Sequence, residues 1–271
     1  DTVQTQIEGI KAGVDENTTI DYEFMDTKRF RTDEWLNMFH DMLKYHLENT
    51  DPYDVVIVGD DAALQFAMEY REELFPEIPV VFEGVNDEEY AMKAAENPLV
   101  TGIIEKLSVE KNIDMALKVN PTADKVVAIL DDSVTADAER KNFYNSAENY
   151  PGLEFSEINS SELTTAQLQQ AISKVDDKTI LIYIVMSKDG SGKQYTSDQA
   201  LCMIVDYAKV PVYRMVEAGI GDGLLGGNVV SMYKSGEIAA QMAMDIANGT
   251  DSAEINVVKD SPNIYCVDED V

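Results

Sequence analysis

Two adjacent carboxylates, Asp60 and Asp61, follow an apolar run at Asp54–Val58 that predicts a buried strand. A carboxylate at such a corner can cap the helix that follows, because its oxygens accept the free N–H groups of the first turn. It can also bind the hydrogen-bond donors of a ligand. The two roles are compatible, and the sequence leaves both open. Acid–base catalysis by paired carboxylates would need a second, separated pair, which the sequence does not place, so we predict no catalytic residue.

Two glycine-rich stretches resemble nucleotide-binding motifs but lack a required feature. Gly221–Gly226 has the spacing G-x-G-x-x-G, which binds a dinucleotide only where it opens directly into a helix. A predicted strand at Val229–Val230 follows instead, so we interpret the stretch as a flexible loop. In Gly190–Lys193, Ser187 stands where a phosphate-binding loop needs its first glycine, and Gln194 stands where it needs Ser or Thr. We therefore predict no cofactor.

Two further patterns bear on phosphorylation and on metal binding. Ile129–Asp132 is similar to the acidic corner of a phospho-acceptor receiver domain, but Met186–Lys188 does not supply, in order, the further Asp and Lys that such a domain needs. The two histidines, His40 and His46, are six residues apart, which does not place them on one face of a helix. We therefore predict neither a histidine-based catalytic set nor a metal site.

The composition is that of a folded protein with an acidic surface. The chain has 271 residues, of which 45% are hydrophobic, and this length allows two domains that each bury a core. The formal net charge is -30, from 51 acidic and 21 basic residues, so nucleic acid and anionic lipid surfaces are excluded as partners. No apolar run approaches the roughly 18 residues that span a bilayer, and no signal peptide stands at residue 1. We expect either a cytosolic protein or one whose targeting segment has been removed.

The carboxylates are positioned by a repeated strand–helix pattern. Asp51–Asp87 predicts a βαβ unit, because the apolar runs Asp54–Val58 and Val80–Glu83 flank a helix with one apolar stripe. A helix, a strand at Thr19–Phe24 and a second helix at Asp33–Glu48 are predicted before this unit. Further strands are predicted at Val100–Ile104, Lys125–Leu130, Leu153–Ile158, Thr179–Met186 and Val212–Val216. The pattern favours two α/β domains with parallel sheets, joined near Leu99–Glu105.

Several segments together resemble one known family. They are Tyr53–Asp87, Tyr22–Arg29, Met186–Lys193, Gly226–Glu237, Ala247–Thr250 and Ser261–Tyr265. These segments resemble the extracytoplasmic solute-binding sensor domains of bacterial histidine kinases and diguanylate cyclases. Such domains have the type I periplasmic-binding-protein fold and are related to the substrate-binding proteins of ABC transporters.

The resemblance implies an α/β fold of two lobes, each a parallel sheet flanked by helices, with a ligand cleft between the lobes. Lobe one would hold residues 1–104 and about 228–258, and lobe two residues 105–227 and about 259–271. The ligand would contact loops at strand ends in both lobes, and closure would be a hinge motion. The residues carried over are Asp60, Asp61, Gly84, Val85 and Asn86 in lobe one, and Asp132, Ser133, Ser187 and Glu217 in lobe two.

The start of the chain departs from the family pattern. Members of the family open with a strand that is usually central in the first sheet, whereas this chain opens with a predicted helix at residues 3–14. A missing central strand would leave its neighbours without ladder partners. We expect either that this strand precedes residue 1 or that another segment takes its place.

The resemblance implies a ligand-binding sensor domain of a membrane receptor such as a histidine kinase, which binds a small solute and signals by hinge closure. The alternative is a lipid-anchored or periplasmic solute-binding protein of an ABC transporter. An enzyme that uses the acidic corners with a metal ranks last. In the first two cases the domain itself is not an enzyme. We expect a location outside the cytoplasm, a membrane tether beyond these residues and possible homodimer formation through lobe one.

Overall fold

The chain forms two compact units, each built from an α/β sheet. The structure is a computed structural model and describes residues 2–27, 30 and 32–271. The first unit holds the chain up to Lys106 together with Met232–Pro262, and the second holds Leu107–Ser231 with Asn263–Val271. Among the described residues, no helix combines the length and the apolar character needed to cross a bilayer.

Helices and strands alternate through most of the chain. In chain order the elements are α1 (Thr2–Gly13), α2 (Asp33–Asn49), β1 (Val56–Gly59), α3 (Asp61–Glu69), α4 (Arg71–Leu74), β2 (Val80–Val85), α5 (Glu88–Ala94), β3 (Val100–Ile104), α6 (Val109–Val119), β4 (Lys125–Leu130), α7 (Val134–Ser146), β5 (Glu154–Asn159), α8 (Thr165–Ser173), β6 (Thr179–Tyr183), α9 (Ser197–Tyr207), β7 (Val212–Arg214), β8 (Gly226–Val229), α10 (Met232–Ala247) and β9 (Ile264–Val267). Short 3₁₀ turns lie at Ala147–Asn149, Ser160–Glu162 and Ser252–Glu254.

The first unit is a parallel sheet of order β1-β2-β3 with helices on both faces. Successive residues of β2 point to opposite faces, as in any strand. Val80 and Phe82 pack with α2, α3, α4 and α5 on one face, and Val81 packs against α10 on the other. The carboxyl ends of all three strands therefore share one edge of the sheet, which carries Asp60 and Asn86.

Helices α1 and α10 pack unusually close together. A Cβ atom added at Gly9 would lie 2.0 Å from the backbone oxygen of Tyr233, and one at Gly236 would lie 2.4 Å from the backbone oxygen of Gln6. Gly9 and Gly13 are one turn apart on α1 and face α10 together. Because glycine has no Cβ, the two backbones can approach to this distance.

Two predictions for the first unit are wrong. Thr19–Phe24 is not a strand, and this segment is tied instead by side chains: the hydroxyl of Tyr53 donates to Asp21 over 2.8 Å, and the His46 ring contacts Glu23 over 2.7 Å. An extended segment becomes a strand only where it finds a ladder partner. The helix predicted between the two strands of the βαβ unit, with an apolar stripe from Ala63 to Leu74, is interrupted at Tyr70, which separates α3 from α4.

The second unit has a sheet of order β5-β4-β6-β7-β8-β9. Its first five strands are parallel, as predicted, and the edge strand β9 runs antiparallel to β8. The pairing with β7 and β9 holds β8 in this unit, which places residues 228–231 here and not in the first lobe as predicted. The other unit boundaries also differ from the predicted ones, because residues 105–106 and 259–262 belong to the first unit.

Two hydrophobic cores cover the two faces of this sheet. One core includes Phe143 and Ile113 of α7 and α6, packed on Val126 and Ala128 of β4. The other includes Leu168 and Ile204 of α8 and α9, packed on Ile129 and Leu181. Because both faces are covered, only the strand ends are open, and the carboxyl ends of β4 and β6 lead into Asp131, Asp132 and Ser187.

Candidate functional site

Asp60 and Asp61 both bind backbone N–H groups at the carboxyl end of β1. Asp60 is the N-cap of α3, and its carboxylate accepts from the backbone N–H of Ala62 over 2.8 Å. Asp61 Oδ1 accepts from the backbone N–H groups of Asn86 and Asp87, at 3.1 and 3.0 Å. Asp61 therefore joins the loop after β1 to the loop after β2, and both aspartates are half-buried.

Asp60 has a backbone conformation that only glycine adopts readily. Its φ is 89° and its ψ is 156°. Side chains at such positive φ values cost about 1–3 kcal/mol, and residues held there are concentrated at ligand sites. The backbone N–H of Asp60 donates to the backbone oxygen of Glu83 over 2.9 Å, and this contact helps to hold the corner.

Glu83 is a buried carboxyl beside this corner. Its side chain is 2% exposed and points toward α1 and α10, where Gln6 Nε2 lies 3.3 Å from Glu83 Oε2 and Ser235 also donates a hydrogen bond. Burial raises the pKa of Glu83 to about 7. The hydrogen bonds from Ser235 and Gln6 lower it, and the nearby charges of Glu105 and Asp60 raise it further.

Gly84, Val85 and Asn86 have three different environments. Gly84 has a φ of 64°, and a Cβ atom there would lie 2.9 Å from Gln6 Nε2 and 3.8 Å from Glu105 Oε2. The Val85 side chain is 0% exposed in the core, so only its backbone could meet a ligand. Asn86 is exposed, and its amide lies 3.5 Å from the backbone oxygen of Glu105.

Asp131 is a fully buried carboxylate at the carboxyl end of β4. Its Oδ1 accepts from the backbone N–H of Ser133 over 2.9 Å. Its Oδ2 accepts from the backbone N–H of Ser187 over 2.8 Å and from the Ser187 hydroxyl over 2.5 Å. Burial alone would raise the pKa of Asp131, but the hydrogen bonds from Ser133 and Ser187 outweigh burial and lower it.

Asp132 is exposed and lies in a small network of charged and polar groups. Its Oδ1 accepts from Asn159 Nδ2 over 2.8 Å and lies 3.4 Å from Arg140 Nη2. The Arg140 guanidinium also binds Glu157 over 3.1 Å and Asp137 over 2.6 Å. Its positive charge is therefore shared among three carboxylates and stays beside Asp132.

Ser133, Ser187 and Glu217 complete the residues predicted for the second unit. Ser133 is the N-cap of α7, and its hydroxyl accepts from the backbone N–H of Ala136 over 3.2 Å. Ser187 is linked to Ser133 through Asp131. Glu217 lies after β7, and its backbone oxygen accepts from the N–H of Ile220. The structure thus groups Asp132, Ser133 and Ser187, whereas no described contact joins Glu217 to them.

The loop that begins at Ser187 is anchored by a second buried aspartate. Asp189 is 2% exposed and accepts from the hydroxyls of Ser191, Thr165 and Tyr195, at 2.6, 2.5 and 2.9 Å. Burial would raise the pKa of Asp189, but these hydrogen bonds and that from the backbone N–H of Lys193 lower it well below its usual range. The anchored loop gives Ser187 a fixed position.

The strand ends of both units present mainly hydrogen-bond acceptors. Ionised carboxylates accept and do not donate, so the natural complement is a ligand with N–H or O–H donors or a positive charge. Within the part of the chain that the structure describes, no group of three or more His, Cys, Asp and Glu side chains is arranged to hold a metal ion.

Sequence reasoning missed Glu83, Asp131 and Arg140. A charged residue inside the apolar run of β2 was a usable signal for Glu83, because a buried charge needs a reason. Asp131 is adjacent to the predicted Asp132, and strand alternation alone could not tell which of the two faces inward. Arg140 follows on α7 and carried no signal.

The comparisons with known proteins agree on one family. A family model described as "ABC transporter substrate binding protein" matches residues 1–267. A tyrosine-binding protein of Clostridioides difficile is 22% identical over 199 residues, which are 72% of this chain and 56% of that protein. The chain thus spans little more than half the length of that relative.

Solved structures give the same fold at low identity. A ligand-free, open substrate-binding protein with adhesive properties from Clostridium difficile has a TM-score of 0.72 and 18% identity, over 99% of this chain and 88% of that one. An ABC domain in complex with L-Trp from Streptococcus pneumonia has a TM-score of 0.63 and 16% identity, over 98% and 88%. The predicted two-lobe, periplasmic-binding-protein-like α/β fold is confirmed.

Proposed function

The chain belongs to the family of ABC transporter substrate-binding proteins, and from this premise we propose that it is the solute-binding component of an ABC transporter. The match over residues 1–267 is the observation that carries the proposal. The family model and the relatives described above favour this function over the sensor domain of a histidine kinase that the resemblance implies. The alternative reading therefore replaces it.

The proposed ligand is a small solute with an ammonium group, and an aromatic amino acid is the first class to test. Acidic side chains stand at the strand ends of both units: Asp60 and Asp61 in the first, and Asp132 in the second. Carboxylates bind an ammonium through charge-assisted hydrogen bonds. Relatives named for tyrosine and solved with L-Trp support the same class.

The ligand residues of this proposal are those grouped at the strand ends. Asp60, Asp61 and Asn86 serve from the first unit, and Asp132, Ser133 and Ser187 from the second. The proposed ligand residues also include Gly84, Val85 and Glu217, which would contact the solute through backbone or side-chain groups. No described contact links these groups to the other proposed ligand residues. The cleft between the lobes and its hinge closure stay predictions.

The setting of the protein follows from the family. A substrate-binding protein captures solute outside the cytoplasm and performs no chemistry on it, so the proposed location is the periplasm or the cell surface, and the proposed role is not enzymatic. The membrane tether beyond these residues and the homodimer through lobe one stay predictions.

A thermal-shift and calorimetric screen tests the proposal. L-tryptophan and L-tyrosine are compared with myo-inositol, which has no ammonium. A ligand at 100 times its Kd stabilises the folded protein by about 2.7 kcal/mol. We expect such stabilisation from at least one of the two amino acids and none from myo-inositol. The absence of stabilisation by either amino acid, or equal stabilisation by myo-inositol, would refute the ligand class.

A matched pair of variants tests the location of the site. Asp132→Asn removes a charge after the carboxyl end of β4, and Asp124→Asn removes one just before the amino end of the same strand. Both side chains are exposed, so both variants should fold. We expect Asp132→Asn to weaken amino acid binding by about tenfold, equal to 1.4 kcal/mol, and Asp124→Asn to leave it unchanged. Equal effects of the two variants would contradict the proposed site.

A further inference from the structure

Asp131 connects two strand ends of the second unit and was not assigned to the site by sequence or by family. Its carboxylate accepts from the backbone N–H of Ser133 after β4 and from both the backbone N–H and the hydroxyl of Ser187 after β6. The side chain is 0% exposed, so it does not meet a ligand itself. Any effect that it has on binding must act through its partners.

The contact between Asp131 and Ser187 determines where the hydroxyl proton of Ser187 points. An ionised carboxylate has no hydrogen to donate, so the Ser187 hydroxyl must be the donor over the 2.5 Å between its Oγ and Asp131 Oδ2. A serine hydroxyl has a single hydrogen and two acceptor lone pairs. Ser187 is half-buried, and the part of its side chain that stays open can therefore offer only lone pairs.

Two side chains near Ser187, those of Asn159 and Asp132, also leave hydrogen-bond acceptors rather than donors open. The Asn159 amide nitrogen donates to Asp132 over 2.8 Å, and its Oδ1 accepts from the backbone N–H of Ser161 over 3.0 Å. Asp132 is exposed and, as a carboxylate, accepts only. The Asn159 and Arg140 groups nearest to Asp132 thus donate within the protein, and the open oxygens of Asp132 and Ser187 are acceptors for a ligand.

We infer that Asp131 is a positioning residue that presents the Ser187 hydroxyl to the ligand as a hydrogen-bond acceptor, so that this strand end recognises an N–H or O–H donor of the solute and discriminates against a carboxylate. The inference rests on the proposed function, because Ser187 belongs to the proposed ligand residues. It extends that function by assigning the ammonium end of the solute to Ser187 and Asp132.

Substitution of either partner has a distinct consequence. In Asp131→Asn, the two Ser187 donors favour an amide oxygen on their side, so the contact with Ser187 is kept, while the negative charge and the hydrogen bond from the backbone N–H of Ser133 are lost. The hydroxyl is then less polarised, and Ser187 Oγ becomes a weaker acceptor. In Ser187→Ala the acceptor is absent. If Asp131 acts through Ser187, its substitution should have little further effect once the hydroxyl is gone.

Binding of three probes tests the inference by calorimetry: L-tryptophan, tryptamine, which keeps only the amine, and indole-3-propionate, which keeps only the acid. We expect wild type to bind indole-3-propionate at least tenfold more weakly than tryptamine. Asp131→Asn and Ser187→Ala should each weaken tryptamine binding by about tenfold and indole-3-propionate binding by less than threefold. The double variant should bind tryptamine within about threefold of Ser187→Ala, which is the non-additive result expected of coupled residues.

Three outcomes overturn the inference. They are an equal loss for both probes in Asp131→Asn, additive losses in the double variant, and a preference of wild type for the acid over the amine. Circular dichroism verifies that each variant is folded. Asp176→Asn is the matched control, because Asp176 also accepts a hydroxyl, that of Thr179 over 2.9 Å, but lies before the amino end of β6. It should leave all three affinities unchanged.

A ligand-free measurement separates this inference from the proposed function. The carboxyl signal of Asp131 is titrated by ¹³C NMR in wild type, Ser187→Ala and Thr179→Ala. Loss of the Ser187 hydroxyl should move the Asp131 midpoint to higher pH, and loss of the Thr179 hydroxyl should not. An unmoved midpoint in Ser187→Ala overturns the positioning role whatever the ligand. A moved midpoint in a protein that binds none of the three probes supports the positioning role and refutes the ligand class.

Discussion

Replacement of Glu83 by glutamine should stabilise the protein increasingly as the pH rises above about 4.5. Burial raises the pKa of Glu83 to about 7, whereas the same carboxyl in the unfolded chain titrates near its usual value of 4.5. Between these two pH values the unfolded state has lost the proton and the folded state keeps it. Stability is therefore lost as the pH rises from about 4.5 to 7, and a glutamine that never ionises avoids this loss.

The size of the effect follows from the two pKa values. Each unit of difference corresponds to 1.36 kcal/mol, so a folded pKa of about 7 lowers the free energy of unfolding by about 1 kcal/mol at pH 5 and about 3 kcal/mol at pH 8. Glu83 is 2% exposed, so solvent screening does not reduce this figure much.

Urea unfolding followed by tryptophan fluorescence measures the stability of the first unit, which contains Glu83. Trp35 is the only tryptophan of the chain and lies on α2, in the same unit as Glu83. Unfolding free energies of wild type, Glu83→Gln and the exposed control Glu96→Gln are compared at pH 5, 6, 7 and 8. The advantage of Glu83→Gln over wild type should grow by about 2 kcal/mol across this range. An advantage independent of pH would refute the assignment of the raised pKa to Glu83.

Two other substitutions test the backbone at the site and the packing behind it. Asp60→Gly removes the strain of the positive φ, about 1–3 kcal/mol, and loses only a few tenths of a kcal/mol of capping, so it should raise the urea midpoint. Asp60→Ala keeps the strained φ and loses the cap, so it should lower the free energy of unfolding by about 1 kcal/mol. A less stable Asp60→Gly would show that the corner is not strained. Gly9→Ala places a methyl group 2.0 Å from the Tyr233 backbone oxygen and should destabilise by about 1–3 kcal/mol despite the higher helix propensity of alanine. Gly152→Ala, which faces open space, is its control, and equal midpoints in a urea titration would contradict the close packing of α1 and α10.

Much of the fold could be predicted because the strands are continuous apolar runs. Val80–Val85 and Lys125–Leu130 are buried on both faces and carry few polar residues, so periodicity and length identify them. Thr19–Phe24 alternates apolar and polar residues as a half-buried strand does, yet it is not a strand, because pairing depends on a neighbour that no local pattern reveals. The short helix α5 was not predicted, because it has no apolar stripe: its seven residues include three charged ones and a single buried side chain, Ala91.

The site could be predicted only as far as strand ends and resemblance allow. Asp60 and Asp61 are at the predicted corner, and the question whether they cap or bind is answered in part, because both accept backbone N–H groups within the protein. The choice of Asp132 over Asp131 could not be made from sequence. Adjacent residues after a strand point in different directions, and only the contacts of Ser187 and Asn159 show which one is buried.

Glu83 and Asp131 show that burial alone does not decide the charge of a carboxyl at a strand end. Both are almost completely buried, and burial raises the pKa of each. Asp131 accepts two backbone N–H groups and a hydroxyl at 2.5–2.9 Å, and these fixed donors keep it ionised. Glu83 receives side-chain donors, one of them at 3.3 Å, and has the acidic neighbours Glu105 and Asp60. The charged form of Asp131 is therefore stabilised by donors within the protein, whereas the charged form of Glu83 is not. Neither buried side chain meets a ligand, so Asp131 contributes only by orienting Ser187.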